Sequence, residues 1–331
     1  MRPIDIHTHI LPRELPRWAQ QFGAGGFVEL EPRPDGCLRM VKDGRAFRDV
    51  GPNCWDPAVR ARECAEHGVG MQVLSTVPVM FNYAAKPAHT AEIARFLNDH
   101  IAGIVRDDPA HFQGLGTLPL QAPELAIAEL HRCLEIGLRG VQIGSHVNAW
   151  NLSAPELFPV FAEAARLGAA VFVHPWDMMG EERMQPYWLP WLVGMPAEAS
   201  LAICSLIFGG VLERLPTLRI AIAHGGGSFA ATLGRIEHGH RCRPDLVAID
   251  NAKGPREYLG RFWVDSLVHD ARMLEHVVDT YGAHRVALGS DYPFPLGEDV
   301  PGTLIAGSNF SADVKEQLLW RSALEWLGIA A

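Results

Sequence analysis

Strand-like and helix-like segments alternate from one end of this 331-residue chain to the other, and that alternation restricts the fold more than any other feature. The strand-like runs are Pro3–His9, Met71–Val77, Gln113–Leu118, Gly140–Ser145, Ala169–His174, Arg219–His224, Arg261–Ser266 and Arg285–Ser290. They are short, rich in Val, Ile and Leu, and often apolar at successive positions, as strands covered on both faces must be. Helical patterns lie between and after them at Asp56–Glu66, Ala91–Arg106, Pro123–Glu135, Pro155–Leu167, Ala197–Leu215, Ser228–His240, Ala271–Tyr281 and Ser311–Leu327. Thr90, Ser153, Ser228 and Asp270 read as helix N-caps, and Gly68, Gly137, Gly168 and Gly282 as stops. Eight strand–helix units are the count of a (β/α)8 barrel. A doubly wound open sheet would place a G-x-G-x-x-G turn after an early strand, and Gly23–Gly26 lacks that context. Residues 1–331 therefore read as a single α/β domain, a (β/α)8 barrel of the TIM type. With 48% AVILMFWYC, the chain has the material for such a core.

One segment interrupts the alternation. Leu11–Cys54 separates the first strand from the first regular helix and is far longer than an ordinary βα loop. Within it, Phe27–Leu30 and Leu38–Val41 flank the turn Pro32–Gly36, which predicts a small antiparallel β insertion. A βα loop emerges at the C-terminal face of a barrel, where active sites form, so the insertion over residues 11–54 is expected to roof the site.

Charge and cysteine usage narrow the class. Lys and Arg total 29 against 38 Asp and Glu, a net charge of −9, so nucleic acid and anionic membranes are disfavoured as partners. An anionic substrate would need arginines placed for it. The six Cys form no CxxC pair and no disulfide framework, which suits a reducing cytoplasm. Met1–Ile6 has neither the charged nor the apolar region of a signal peptide, and the apolar run Ala199–Leu212 is too short to span a bilayer.

The chemistry concentrates at strand ends. His7-Thr8-His9 closes the first strand, and residues i and i+2 of a strand share a face. The fifth strand ends in His174, the sixth in His224 and the eighth in Asp291. Imidazoles and a carboxylate at the catalytic face suit a borderline divalent ion, zinc first, with Fe, Co or Mn as alternatives. The fourth strand carries no Lys that could become a carboxylated bridge, which favours a single ion. Five residues compete for about four protein positions. His224, directly before Gly225-Gly226-Gly227, reads as a ligand, a general base or a packed histidine. Asp5 is a candidate to orient a ligand or to form a salt bridge, and His269 a candidate for a supporting contact.

The set His7-x-His9, His174, His224 and Asp291 is similar to the amidohydrolase superfamily. HPWDMMG (174–180), LPWLVGMPAE (189–198), HGGGSF (224–229) and SDYPFPLGE (290–298) resemble the 2-amino-3-carboxymuconate-6-semialdehyde decarboxylase family. The likeness runs from the first strand to about Glu298. It implies one Zn2+ per subunit on His7, His9, His174 and Asp291. It also implies that His224 deprotonates a metal-activated water and delivers a proton as CO2 leaves a ring-opened dicarboxylate semialdehyde. That reaction belongs to tryptophan (kynurenine) or aminobenzoate breakdown. By the same resemblance Arg48 and Arg235 bind substrate carboxylates, and Trp188 lines or gates the pocket. Arg235 lies 11 residues beyond His224, mostly along a helix, a rise of about 16 Å. The resemblance accordingly implies a homodimer in which each subunit lends Arg235 to its neighbour. A related hydroxybenzoate-type decarboxylase or a metal-dependent hydrolase would use the same ligands.

Overall fold

Each of the eight apolar runs forms a parallel strand in the computed structural model, which describes residues 2–330. They are β1 (Ile4–Ile10), β2 (Met71–Thr76), β3 (Phe112–Gly116), β4 (Gly140–Gly144), β5 (Ala170–His174), β6 (Arg219–Ile222), β7 (Trp263–Asp265) and β8 (Val286–Ala287), neighbours in chain order. Main-chain bonds close the ring between the end of β8 and β1. Ile6 N–H donates to Leu288 O (2.9 Å), Asp291 N–H to His7 O (2.8 Å) and His9 N–H to Tyr292 O (2.8 Å). The outer layer comprises α1 (Pro57–His67), α2 (Pro87–Asp107), α3 (Pro123–Glu135), α4 (Phe158–Leu167), α5 (Met195–Phe208), α6 (Phe229–Cys242), α7 (Ala271–Tyr281) and α8 (Ser322–Leu327).

Period-two alternation divides the strand side chains into two cores. On β5, Ala170 and Phe172 face inward with Ile6, Val73 and Ala221, while Val171 and Val173 face the helices with Ile220 and Ile222. Trp326 of α8 joins the inner cluster, its ring 5.9 Å from that of Phe172. Burying each such side chain contributes about 1.5–3 kcal/mol, which is why both faces of the strands are apolar. β1 departs from strict alternation. Its register against β2 shifts between Asp5 and Thr8, a bulge that lets the successive residues Ile6 and His7 both face the interior. Ile4 and Ile6 thus fill the core below, and His7 and His9 stand above it.

The insertion is a three-stranded antiparallel sheet, Val28–Pro32, Leu38–Lys42 and Arg45–Val50, rather than the expected pair of strands. The third strand is polar and largely exposed, so no apolar alternation announces it. Its entry turn does: Asp43 (φ 51°) and Gly44 (φ 74°) take the left-handed conformations of a two-residue hairpin turn. Trp18, Phe27, Met40 and Cys54 of the insertion share a small core with Val77, Met80, Ile93 and Leu97 of the barrel.

Helix starts differ from the sequence expectation. Asp270 caps α7 as expected, accepting from Met273 N–H at 2.8 Å. Thr90 instead lies inside α2, and Ser153 precedes α4 by several residues, because Pro87 and Pro159 occupy the first turns. Ser228 stands at the N-cap of α6 without a capping bond. Among the described residues one helical stretch, Pro190–Phe208 (19 residues), is long and apolar enough to cross a membrane. It exceeds the run read from sequence because a π turn, Pro190–Gly194, extends α5 backward. Ala199, Ala202, Ile203, Leu206 and Ile207 are buried in the core, as an outer-ring barrel helix requires.

Candidate active site

Four side chains from the two ends of the chain and its middle meet above the inner core. His7 and His9 come from β1, His174 ends β5, and Asp291 lies just past β8. One donor atom from each lies within 4.8 Å of the other three, and all four residues are buried. His7 Nε2 and His9 Nε2 are 3.2 Å apart, and Asp291 Oδ1 lies 3.5 and 3.0 Å from them.

The opposite nitrogens show what this cluster is for. His7 Nδ1 donates to Asp265 Oδ2 (2.7 Å), His9 Nδ1 to Thr76 O (3.0 Å) and His174 Nδ1 to Pro175 O (2.7 Å). A proton on Nδ1 leaves a lone pair on Nε2. Three lone pairs and a carboxylate oxygen therefore face one another at a buried site, a repulsion that a cation relieves. His174 Nε2 and Asp291 Oδ1 are buried without a hydrogen-bond partner. Burial also holds His9 and His174 below the ordinary imidazole range, keeping them neutral as ligands must be. The residues fit a divalent metal ion with a nitrogen-rich, four-donor set.

His224 stands beside the cluster and outside it. Its ring centroid is 5.1 Å from those of His7 and His174, and its Nε2 is 4.0 Å from Asp291 Oδ2. Burial above all pushes it down to about 4, so it is neutral near pH 7 and free to accept a proton. Asp5 neither orients a ligand ring nor pairs with a cation. Its carboxylate accepts from His7 N–H, Ser290 N–H and the Ser290 hydroxyl, tying β1 to the segment after β8. Burial pushes Asp5 up to about 7.

A cavity of about 620 Å3 opens above these residues, with His9, His174 and Asp291 at its base and the insertion on one side. Arg48, on the third insertion strand, is one of its walls. The guanidinium sits 4.3 Å over the Phe294 ring, and it makes no ion pair among the described residues. Trp188 and Trp191 form another wall, their rings 5.8 Å apart. Arg235 is exposed on α6 and lies outside the cavity of its own subunit; His269 is likewise exposed and outside it. Sequence reading missed Asp265, the carboxylate behind His7. The signal was available, because Asp265 ends β7 as His174 ends β5.

Comparison with known proteins agrees with this geometry. The amidohydrolase family model matches residues 4–329. A 2-amino-3-carboxymuconate-6-semialdehyde decarboxylase from Dictyostelium discoideum is 57% identical over 328 residues, 98% of this chain and 91% of that one. The Caenorhabditis elegans protein of the same name is 38% identical over 99% of this chain and 94% of its own. In structure, 5-carboxyvanillate decarboxylase from Novosphingobium aromaticivorans, complexed with manganese and 4-hydroxy-3-methoxy-5-nitrobenzoic acid, superposes with a TM-score of 0.84. It covers 99% of this chain and 96% of its own at 19% identity, a likeness of fold. The chain thus belongs to the amidohydrolases and, among them, to the 2-amino-3-carboxymuconate-6-semialdehyde decarboxylase family.

Proposed function

We propose that this chain is a metal-dependent carboxy-lyase converting 2-amino-3-carboxymuconate-6-semialdehyde to 2-aminomuconate-6-semialdehyde and CO2. The observation that carries this reading is 57% identity, sustained over 98% of the chain, to a decarboxylase of that name. A divalent ion held by His7, His9, His174 and Asp291 would supply Lewis acidity and make water a stronger acid beside the substrate. We assign zinc to the site on the strength of its three imidazoles and one carboxylate, with Fe, Co and Mn as the alternatives to test. When the bond to the departing carboxylate breaks, its electron pair stays with the conjugated chain, and His224 Nε2 hands that carbon the proton it has first taken from the acidified water, the hydroxide left behind regaining a proton from solvent.

The substrate is a dianion and the chain carries a net charge of −9, so carboxylate recognition falls to individual arginines. Arg48, half-buried in the cavity wall with no ion pair of its own, is suited to one carboxylate as a planar fork. The second is assigned to Arg235 of the partner subunit, a reading supported by the exposure of that residue away from its own cavity. Trp188 lines the substrate's path. The working unit is then a homodimer, and the described cysteines, all free thiols, are in keeping with a reducing cytoplasm.

The test is direct. Purified, metal-replete protein is given the semialdehyde, and near-UV absorbance and CO2 are followed before and after chelation. Loss of absorbance with stoichiometric CO2, abolished by chelator and restored by metal, is the expected result. Absorbance left unchanged removes the assignment. Turnover of hydroxybenzoic acids alone would move the chain to the ring decarboxylases, and a cleaved product without CO2 would make it a hydrolase.

A further inference from the structure

Asp265 is fully buried and touches no part of the substrate cavity, yet its two oxygens hold both halves of the catalytic apparatus. Oδ2 accepts from His7 Nδ1–H (2.7 Å) and from the backbone N–H of His224 (2.9 Å). Oδ1 accepts from Gly225 N–H (2.7 Å) and Leu267 N–H (3.1 Å). Four donors saturate the carboxylate. The segment it grips is strained. His224 has φ 57° and the three following glycines have φ 62°, 75° and 63°, a left-handed run that a histidine enters at a cost and keeps only when its surroundings impose it.

The reach from β7 to β1 crosses the end of β8, and one residue leaves it open. A Cβ on Gly289 would stand 2.6 Å from Asp265 Cβ and 2.8 Å from His7 Cβ. The chain therefore keeps a gap in the barrel wall through which these two side chains meet.

We propose that Asp265 is a positioning residue that couples metal binding at His7 to the placement of His224. A cation on His7 Nε2 makes the Nδ1 proton more acidic and strengthens its bond to Asp265, which then holds the His224 backbone more firmly. The coupling rests on the decarboxylase reading only for the task of His224; the hydrogen-exchange and zinc-affinity measurements below need no substrate, so either can fail without the other.

Hydrogen exchange over residues 224–227 is compared in zinc-loaded and chelator-stripped wild-type protein, with β4 as the internal control. Stripping is expected to raise exchange at 224–227 and leave β4 unchanged. Equal exchange in the two forms overturns the proposal. In Asp265→Asn the amide has one oxygen for four donors, so its NH2 must confront a pair of them. Facing His7 and His224, it forces the other imidazole tautomer and weakens zinc affinity by about 10- to 100-fold. Facing Gly225 and Leu267, it frees the His224 segment while zinc stays, so kcat falls and KM holds. Either result supports Asp265 as the positioning residue, the coupling itself being read from the exchange difference between loaded and stripped protein, and folded Asp265→Asn with wild-type zinc affinity, exchange and kcat refutes the proposal. Gly289→Ala provides a second route, since it wedges Asp265 from His7 without altering a polar group. It is expected to reproduce the loss of zinc affinity, and unchanged affinity in the folded variant counts against the proposal.

Discussion

His224 stands beside the metal cluster and Arg48 in the cavity wall, and their environments differ in the way their tasks require. His224 is largely enclosed and neutral, whereas Arg48 keeps its charge over an aromatic face with no carboxylate to neutralise it. Replacing His224 by Ala removes the proton carrier and none of the four metal donors. Metal content by elemental analysis should stay at the wild-type level while initial rates fall by at least ~10². Wild-type turnover in that variant would remove His224 from proton transfer. Arg48→Ala deletes a charge-assisted contact worth about 1.5–3 kcal/mol. Steady-state kinetics should show KM raised roughly tenfold or more, with metal content intact; an unaltered KM would exclude Arg48 from substrate binding.

At the scale of elements, the joints between strands and helices decide more than the elements themselves. Asp270 caps α7 through Met273 N–H, and Asp270→Ala should cost about 1 kcal/mol in urea denaturation while leaving turnover intact. An unshifted midpoint would mean that the cap contributes nothing. The eight strands were legible because apolar runs between helical patterns have few other uses. Their ends were less so. β8 spans only Val286–Ala287, since Gly289 and Ser290 leave the ladder to serve Asp265 and Asp5. The bulge in β1 and the polar third strand of the insertion also escaped notice, because hydrophobic spacing records which face a residue prefers and is silent where backbone geometry overrides it.

The whole barrel exists around ligands contributed from residue 7 to residue 291, so the metal is also a fastener. An ion that binds only the folded chain stabilises it by about 2.7 kcal/mol at hundredfold excess over Kd. Stripping the metal should therefore lower the unfolding midpoint, and adding it back should restore it; a midpoint indifferent to metal would contradict the cluster as a binding site. Across two subunits, Arg48→Ala and Arg235→Ala are each expected to be impaired alone. Under confirmed subunit exchange an equal mixture should recover roughly one quarter of wild-type activity, because half the dimers are hybrids with one intact site. Absence of recovery would argue against Arg235 being lent across an interface.

The amino-acid sequence by itself determined the number of strand–helix units, the position of the insertion and the five polar strand-end residues among which the four metal donors lie. Each of these is written in local pattern: apolar periodicity, turn residues, and polar residues at the tips of apolar runs. Tertiary structure alone decided which nitrogen of each imidazole faces the metal, that His224 stands aside from the other four, and that Asp265 reaches His7 through the gap at Gly289. Those outcomes depend on contacts between residues as many as 258 positions apart, and no spacing along the chain encodes a distance across it.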